Sequence, residues 1–262
     1  MRAIGGAVGL VLGLLVVAWA HVSMGGDAAI FMQPEAFVVV FGGTAAALLV
    51  SYPASAIRGA VLALADLATR QPPALDVLVP TFMTYARKAR RQGLMAIEDD
   101  IEKAPDGFLQ RSLTVSVTGL PAPLVREALD IDARVCAERE DEHAQILEAA
   151  AGYAPTLGIV GAVLGLMRVM QSFTGAEGVG AGIAAAFVAT VYGVGAANLV
   201  FLPLATRLRG RSRHDALRRE LIIDGVLALR DGASPGVVEE RLAGYLSLKP
   251  ERAGASGAVG AA

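Results

Sequence analysis

Residues 87–91 read Arg87-Lys88-Ala89-Arg90-Arg91, and Gln92-Gly93 follows them as a turn signal. Beyond the turn come Glu98, Asp99, Asp100 and Glu102. Opposite charges on the two sides of a bend admit two readings. One is a solvated helix-turn-helix that pairs its own charges. The other is a docking surface presenting both signs, whose complementarity sets register and association rate more than affinity. A second group of polar residues lies in Gly152–Pro203, which reads GYAPTLGIVGAVLGLMRVMQS, FTGAEGVG and AGIAAAFVATVYGVGAANLVFLP. Thr190 falls near the middle of the second apolar run, where a hydroxyl either bonds its own helix or faces a polar path. Pro155 and Pro203 lie at the inner ends of their runs, and each permits a kink. No Asp, Glu, His or Lys lies within either run, and Arg168 sits where it can snorkel to the outer headgroups. A proton carried at depth needs an ionisable group. If ions pass here, the titrating group comes from another chain.

The elements that must position these residues are helices. The chain has 262 residues, 54% of them hydrophobic and 18% charged. Charge and apolarity are segregated. Apolar stretches at Ala3–Val22 and Ala36–Val50 precede the hairpin of Gly152–Pro203, giving four runs of bilayer-spanning length. Such runs satisfy their backbone in lipid as helices. Of 23 Lys and Arg residues, 11 fall in residues 51–150 and 10 in 204–262, and the loops 23–35 and 173–180 have none. By the positive-inside rule both charged blocks and both termini are cytoplasmic. The expected fold is an all-α polytopic membrane protein with four transmembrane helices and a helical cytoplasmic domain. Its parts are spans one and two with a short periplasmic loop (1–53), a cytoplasmic helical domain (54–150), the channel hairpin of spans three and four (151–204), and C-terminal cytoplasmic helices with a disordered tail (205–262).

Residues 1–22 also resemble a signal peptide ending at Ala18-Trp19-Ala20, but the apolar core is long for one. Gly5, Gly9 and Gly13 share a helix face of the kind that lets membrane helices approach closely. Residues 57–67 form an amphipathic helix near the membrane surface that ends at Pro72-Pro73. Pro105-Asp106-Gly107 is a turn, and an unbroken charged helix runs from about Leu124 towards the third span. The last helix starts at Pro235, and Ala253–Ala262 is a low-complexity tail. A lone Cys136 excludes an intrachain disulfide, and His21, His143 and His214 are too scattered for a metal site. The net charge of −2 argues against nucleic acid. No phosphate loop, metalloprotease helix or nucleophile motif occurs, so neither an enzyme nor a cofactor is expected.

Taken in order, GGTAAALLVSYP, YARKARRQGLMAIE, APTLGIVGAVLGLM and FVATVYGVGAANLVFLPLA resemble the motility protein A family, the larger subunit of the flagellar motor stator. The resemblance covers nearly the whole chain. It implies an inner-membrane homo-oligomer, a ring of five subunits around two copies of a single-span partner, motility protein B, which supplies the ion-carrying aspartate. It also implies contact with membrane lipid and with the rotor protein FliG. Arg90 and Glu98 match the family's rotor-contact residues, with Arg87, Lys88 and Arg91 beside them. Pro155 and Pro203 match its hinge prolines, and Thr190 matches its pore-facing threonine. Sodium-driven members carry a threonine where this chain has Ala162, which points to protons, while Thr156, nearer the cytoplasm, keeps sodium open. The alternatives are an energiser of envelope transport, like the ExbB and TolQ proteins, and a scaffold without conduction. The former usually have three spans.

Overall fold

The computed structural model describes residues 2–69, 74–171 and 176–247. Among them every regular element is helical, as unbroken apolar runs of this length lead one to expect. The order is α1 (Arg2–Ser23), a 3-10 turn (Ala28–Phe31), α2 (Pro34–Phe37), a π-helical turn (Val38–Gly42), α3 (Gly43–Ser51) and α4 (Ala54–Thr69). Then come α5 (Leu75–Gln92), a 3-10 turn (Leu94–Ile97), α6 (Glu98–Ile101), α7 (Gly107–Val117) and α8 (Ala122–Gln171). The chain closes with α9 (Ala176–Gly195), a π-helical turn (Ala196–Phe201), α10 (Leu202–Arg230) and α11 (Pro235–Ser247).

Among the described residues, three helices are long and apolar enough to cross a membrane: Pro34–Ser51, Ala122–Gln171 and Gly182–Arg230. The apolar part of α1, Val8–Ser23, is shorter. Pro155 does not break α8, which is continuous over 50 residues. The cost of the missing amide is local, because only the carbonyl one turn back loses its donor. Pro203 is accommodated differently. The preceding turn widens into a π-helix, with the Leu202 amide bonding the Ala197 carbonyl. Such a bulge takes up the proline's misfit without ending the helix.

Two units divide the chain, residues 1–70 with 138–212 and residues 71–137 with 213–262. In the first, α2 and the π-helical turn bury Ala36 and Val40 against Ala154 and Ala189, with Phe41, Tyr192 and Phe201 around them. A second cluster joins Ala144, Leu147, Ala205 and Leu208 to Leu64 and Leu67. Of the apolar residues of α4, expected near the membrane surface, Leu64 and Leu67 are thus covered by α8 and α10, whereas Val61 and Leu62 stay exposed. A Cβ at Gly59 would collide with the His143 ring, which shows how close α4 lies to α8.

In the second unit, Leu75, Leu78 and Phe82 of α5 bury against Leu221, Ile222 and Val226 of α10 and Val238 and Leu242 of α11. The spacing of these residues on α5 follows one helix face. The Phe82 ring lies on the backbone of Gly225, where a Cβ would come within 2.7 Å of it. The Pro105-Asp106-Gly107 turn proves to be a helix cap. Asp106 accepts the amides of Phe108 at 2.8 Å and Leu109 at 2.9 Å, opening α7. Its other oxygen pairs with Arg218 Nη1 at 2.6 Å, and both side chains are nearly buried. Pro72-Pro73, residues 173–175 of the hairpin turn and the tail 253–262 lie outside the described residues.

Candidate functional site

The hairpin of α8 and α9 packs backbone on backbone. A Cβ at Gly158 would lie 2.9 Å from the Ala189 carbonyl oxygen and 3.3 Å from the Thr190 Cα. At Gly165 it would sit 3.2 Å from the Ala186 Cβ. At Gly193 it would overlap the Ala154 carbonyl oxygen and come within 3.0 Å of the Pro155 Cα. Small residues at these spacings are what allow membrane helices to approach so closely. The wall is therefore dense where α9 passes Pro155. Gly13 of α1 faces Leu199 at 2.9 Å by the same measure, whereas Gly9 faces open space.

The hydroxyls of the wall divide sharply. Thr44 donates to the Val40 carbonyl at 2.6 Å and Thr156 to the Tyr153 carbonyl at 2.8 Å. Asn198 likewise donates to Val194, at 2.9 Å. These side chains are tied to their own helices. Tyr192 reaches the Phe31 carbonyl, and its ring packs edge-on against Phe37. Thr190 is the exception. Among the described residues its hydroxyl has no hydrogen-bond partner, though the side chain is half-buried. Ala162 is half-buried on α8, Thr156 is exposed, and Pro203 is exposed at the start of α10. Arg168 is largely exposed at the outer end, where Nη1 lies 3.7 Å from Glu35. An acidic partner at that end was not legible in the sequence, since Glu35 is far away along the chain.

The charged bend is built by α5 and α6. Gly93, at φ +87°, takes the left-handed conformation that ends α5, and its amide caps the Ala89 carbonyl at 2.8 Å. The short turn Leu94–Ile97 buries Ile97 and leads into Glu98. The cluster separates into two kinds of charge. Lys88 Nζ pairs with Asp100 at 2.6 Å, both half-buried. Arg87, Arg90, Arg91 and Glu98 are exposed and have no ion pair among the described residues. Beneath them Tyr85 is pushed above the usual tyrosine range, by burial first and then by the Asp100 carboxylate. The two readings of the bend thus both hold, for different residues. Lys88 is part of its own structure, and the other cations and Glu98 face outward.

The sequence did not announce two further contacts in this unit. Arg126 Nη2 pairs with Asp224 at 2.6 Å. Tyr245 donates to the same carboxylate, also at 2.6 Å. Only the N-cap role of Asp106 had a local signal, an acidic residue directly before a helix start.

An all-helical, multi-pass membrane chain with a glycine-packed hairpin and no carboxylate within its apolar runs is the class that these features define. Residues 100–221 match the model of the MotA/TolQ/ExbB proton channel family. The chain is 32% identical to motility protein A of Bacillus subtilis over 244 residues, covering 92% of this chain and 90% of that protein. It is 29% identical to the chemotaxis protein PomA of Vibrio alginolyticus over 239 residues, 91% of this chain and 93% of the relative. Among solved structures, the flagellar MotAB stator complex of Bacillus subtilis superposes with a TM-score of 0.82 at 31% identity, covering 92% of this chain and 94% of the matched chain. The MotAB structure of C. jejuni shares the fold, with a TM-score of 0.87 at 24% identity over 95% of this chain and 98% of that one. This chain belongs to the motility protein A family.

Proposed function

We propose that the chain is a stator subunit of the bacterial flagellar motor and forms an ion channel with a partner of the motility protein B kind. The observation that carries this is the hairpin itself. It offers a close-packed wall in which Thr190 is the hydroxyl left unengaged among the described residues, and its two apolar runs hold no carboxylate, His or Lys to carry a proton. Such a wall is complete only beside a chain that supplies the ion-carrying aspartate. The partner is then a single-span subunit, and the ring is a homopentamer in the bacterial inner membrane. α1 is the fourth span, so that both termini are cytoplasmic and lipid surrounds the outer helix faces.

Protons are the coupling ion, on the strength of Ala162, with Thr190 and Thr156 on the ion path. Arg90 and Glu98 meet the rotor protein FliG, flanked by Arg87 and Arg91, and Lys88 holds the bend in shape through Asp100. Pro155 and Pro203 are hinges in α8 and α10. Reversal of charge at Arg90 or Glu98 is expected to abolish swimming while flagella still assemble. Normal swimming in both variants would remove the rotor-contact assignment. In the parent strain, which carries the unmodified protein, swimming speed is expected to be independent of sodium concentration, and a sodium-dependent speed would reassign the ion.

A further inference from the structure

Beyond the two prolines, on the charged side of α8 and α10, lies an ion cluster that the channel reading does not use. Arg209 of α10 grips Glu148 of α8 with both terminal nitrogens, Nη1 on Oε1 and Nη2 on Oε2, the second at 2.8 Å. Its remaining nitrogen, Nε, lies 3.5 Å from Asp141 Oδ1, on the same helix as Glu148. Gln145 donates to the other oxygen of Asp141 at 2.7 Å. The position of this cluster along the two helices is what gives it meaning. Glu148 stands seven residues before Pro155, and Arg209 stands six residues after Pro203. The pair is therefore about two turns from each proline, on the same side of both. Further along, α8 and α10 run unbroken through 137–138 and 212–213, where the two units divide. At the level of the pair, Ala144 and Leu147 of α8 pack with Ala205 and Leu208 of α10. Apolar contact holds two helices side by side but is non-directional, so it does not fix how far one stands along the other. A guanidinium fork on a carboxylate does, because its two parallel bonds admit one orientation. The two side chains are 38% and 35% exposed, where solvent screens an ion pair. Register, more than stability, is what the pair supplies.

We propose that Arg209, Glu148 and Asp141 form a register lock, through which the arms of α8 and α10 beyond Pro155 and Pro203 move as one lever. The lock rests on the reading of the chain as an ion-driven stator subunit with hinges at the two prolines, and it adds three positioning residues to that reading. A bend at one proline alone slides one arm along the other, and the lock opposes that slide. Movement at either proline is then handed on through both helices together, instead of being lost as slip between them. On the span side of the prolines the helices are already in close register, since a Cβ at Gly193 would overlap the Ala154 carbonyl oxygen. The proline level thus lies between a glycine contact on one side and an ion pair on the other.

The test uses the full chain with its membrane partner in the host. Arg209→Gln removes the fork and is expected to reduce swimming roughly tenfold, the population change that follows the loss of one charge-assisted hydrogen bond. Yield, co-purification with the partner and thermal midpoint are expected to stay at wild type. Glu148→Gln is expected to behave alike, and the double variant to be no worse than either single one, because each removes the same interaction. Arg209→Lys keeps the charge without the fork, and swimming between wild type and Arg209→Gln is expected. Normal swimming in Arg209→Gln overturns the lock, and so does a double variant whose loss is the product of the two single losses. A thermal midpoint that falls in step with swimming makes the pair a structural one and overturns the lock as well. If Arg209→Gln fails to co-purify, Arg209→Lys decides: reduced swimming at wild-type yield upholds the lock, and normal swimming or lost yield overturns it. Pro155→Ala and Pro203→Ala separate the lock from the reading beneath it. If both impair swimming while Arg209→Gln swims normally, the hinges stand and the lock falls. If both swim normally, the hinge reading falls and the lock with it.

Discussion

The two units of the chain are held together by different physics. In the membrane hairpin the contacts are backbone on backbone. Gly158, Gly161, Gly165 and Gly193 meet alanines, carbonyls and a proline on the facing helix. Lipid tails are as apolar as leucine, so burying a large apolar side chain gains little there, and close van der Waals approach is what remains. The unit of residues 71–137 and 213–262 is packed the other way. Its core is made of large side chains, Phe82, Leu75, Leu78, Ile222 and Leu242, which are fully or almost fully buried. It also tolerates a nearly buried ion pair, Asp106 with Arg218, because the carboxylate is satisfied at the same time by two helix amides. A missing side chain holds one unit, and a present one holds the other.

The contrast can be broken from either side. The largest effect is expected at Asp106→Ala, which leaves Arg218 only the Asp215 carboxylate, 3.6 Å away, and uncaps α7. Losing one partner of a buried pair costs about 3–5 kcal/mol. Limited proteolysis of the purified protein should then cut within residues 71–137 first. Protection equal to wild type would mean that the pair contributes little. Next comes Gly193→Ala. One added methyl must fit where the Ala154 carbonyl already lies, and overpacking of this kind costs roughly 1–3 kcal/mol. Loss of detergent-stable protein, with the second unit still resistant to protease, is the expected pattern. The smallest effect on stability is expected at Thr190→Val, which removes a hydroxyl that bonds nothing among the described residues. Its thermal midpoint should match wild type while ion flux falls. Thr44→Val provides the comparison, since its hydroxyl is already engaged by the Val40 carbonyl. Equal flux in both variants would make Thr190 a structural residue.

Much of this was legible in the chain itself. Apolar run length announced helices that cross a membrane, because lipid admits only helices or closed barrels and unbroken runs of this length select the helix. Gly-x-x-Gly spacing announced a close-packed wall. The polarity of residues 87–102 announced a charged bend. The unbroken run from Leu124 announced a helix that enters the membrane, although its continuity through Pro155 did not follow from sequence. A proline weakens a helix by a local amount, and the sum of tertiary contacts decides whether the helix continues. The π-helical turn before Pro203 was equally silent, since it depends on how the neighbouring turns share one missing amide.

The amino-acid sequence by itself determined that ions passing this chain need a carboxylate from elsewhere. That conclusion depends only on which residue types fall within the apolar runs. It also determined which end of each run carries positive charge. Tertiary structure decided which members of each group are engaged. Lys88 is tied to Asp100 while Arg87, Arg90 and Arg91 face outward, and Thr156 is tied to its own helix while Thr190 is not. Asp106 and Arg218 are far apart in the chain and meet only through folding. The physical reason is common to these cases. Residue type fixes what a side chain is able to bond, whereas the occupancy of a hydrogen bond depends on atoms within about 3 Å of one another, and chain order does not encode that distance for residues far apart in sequence.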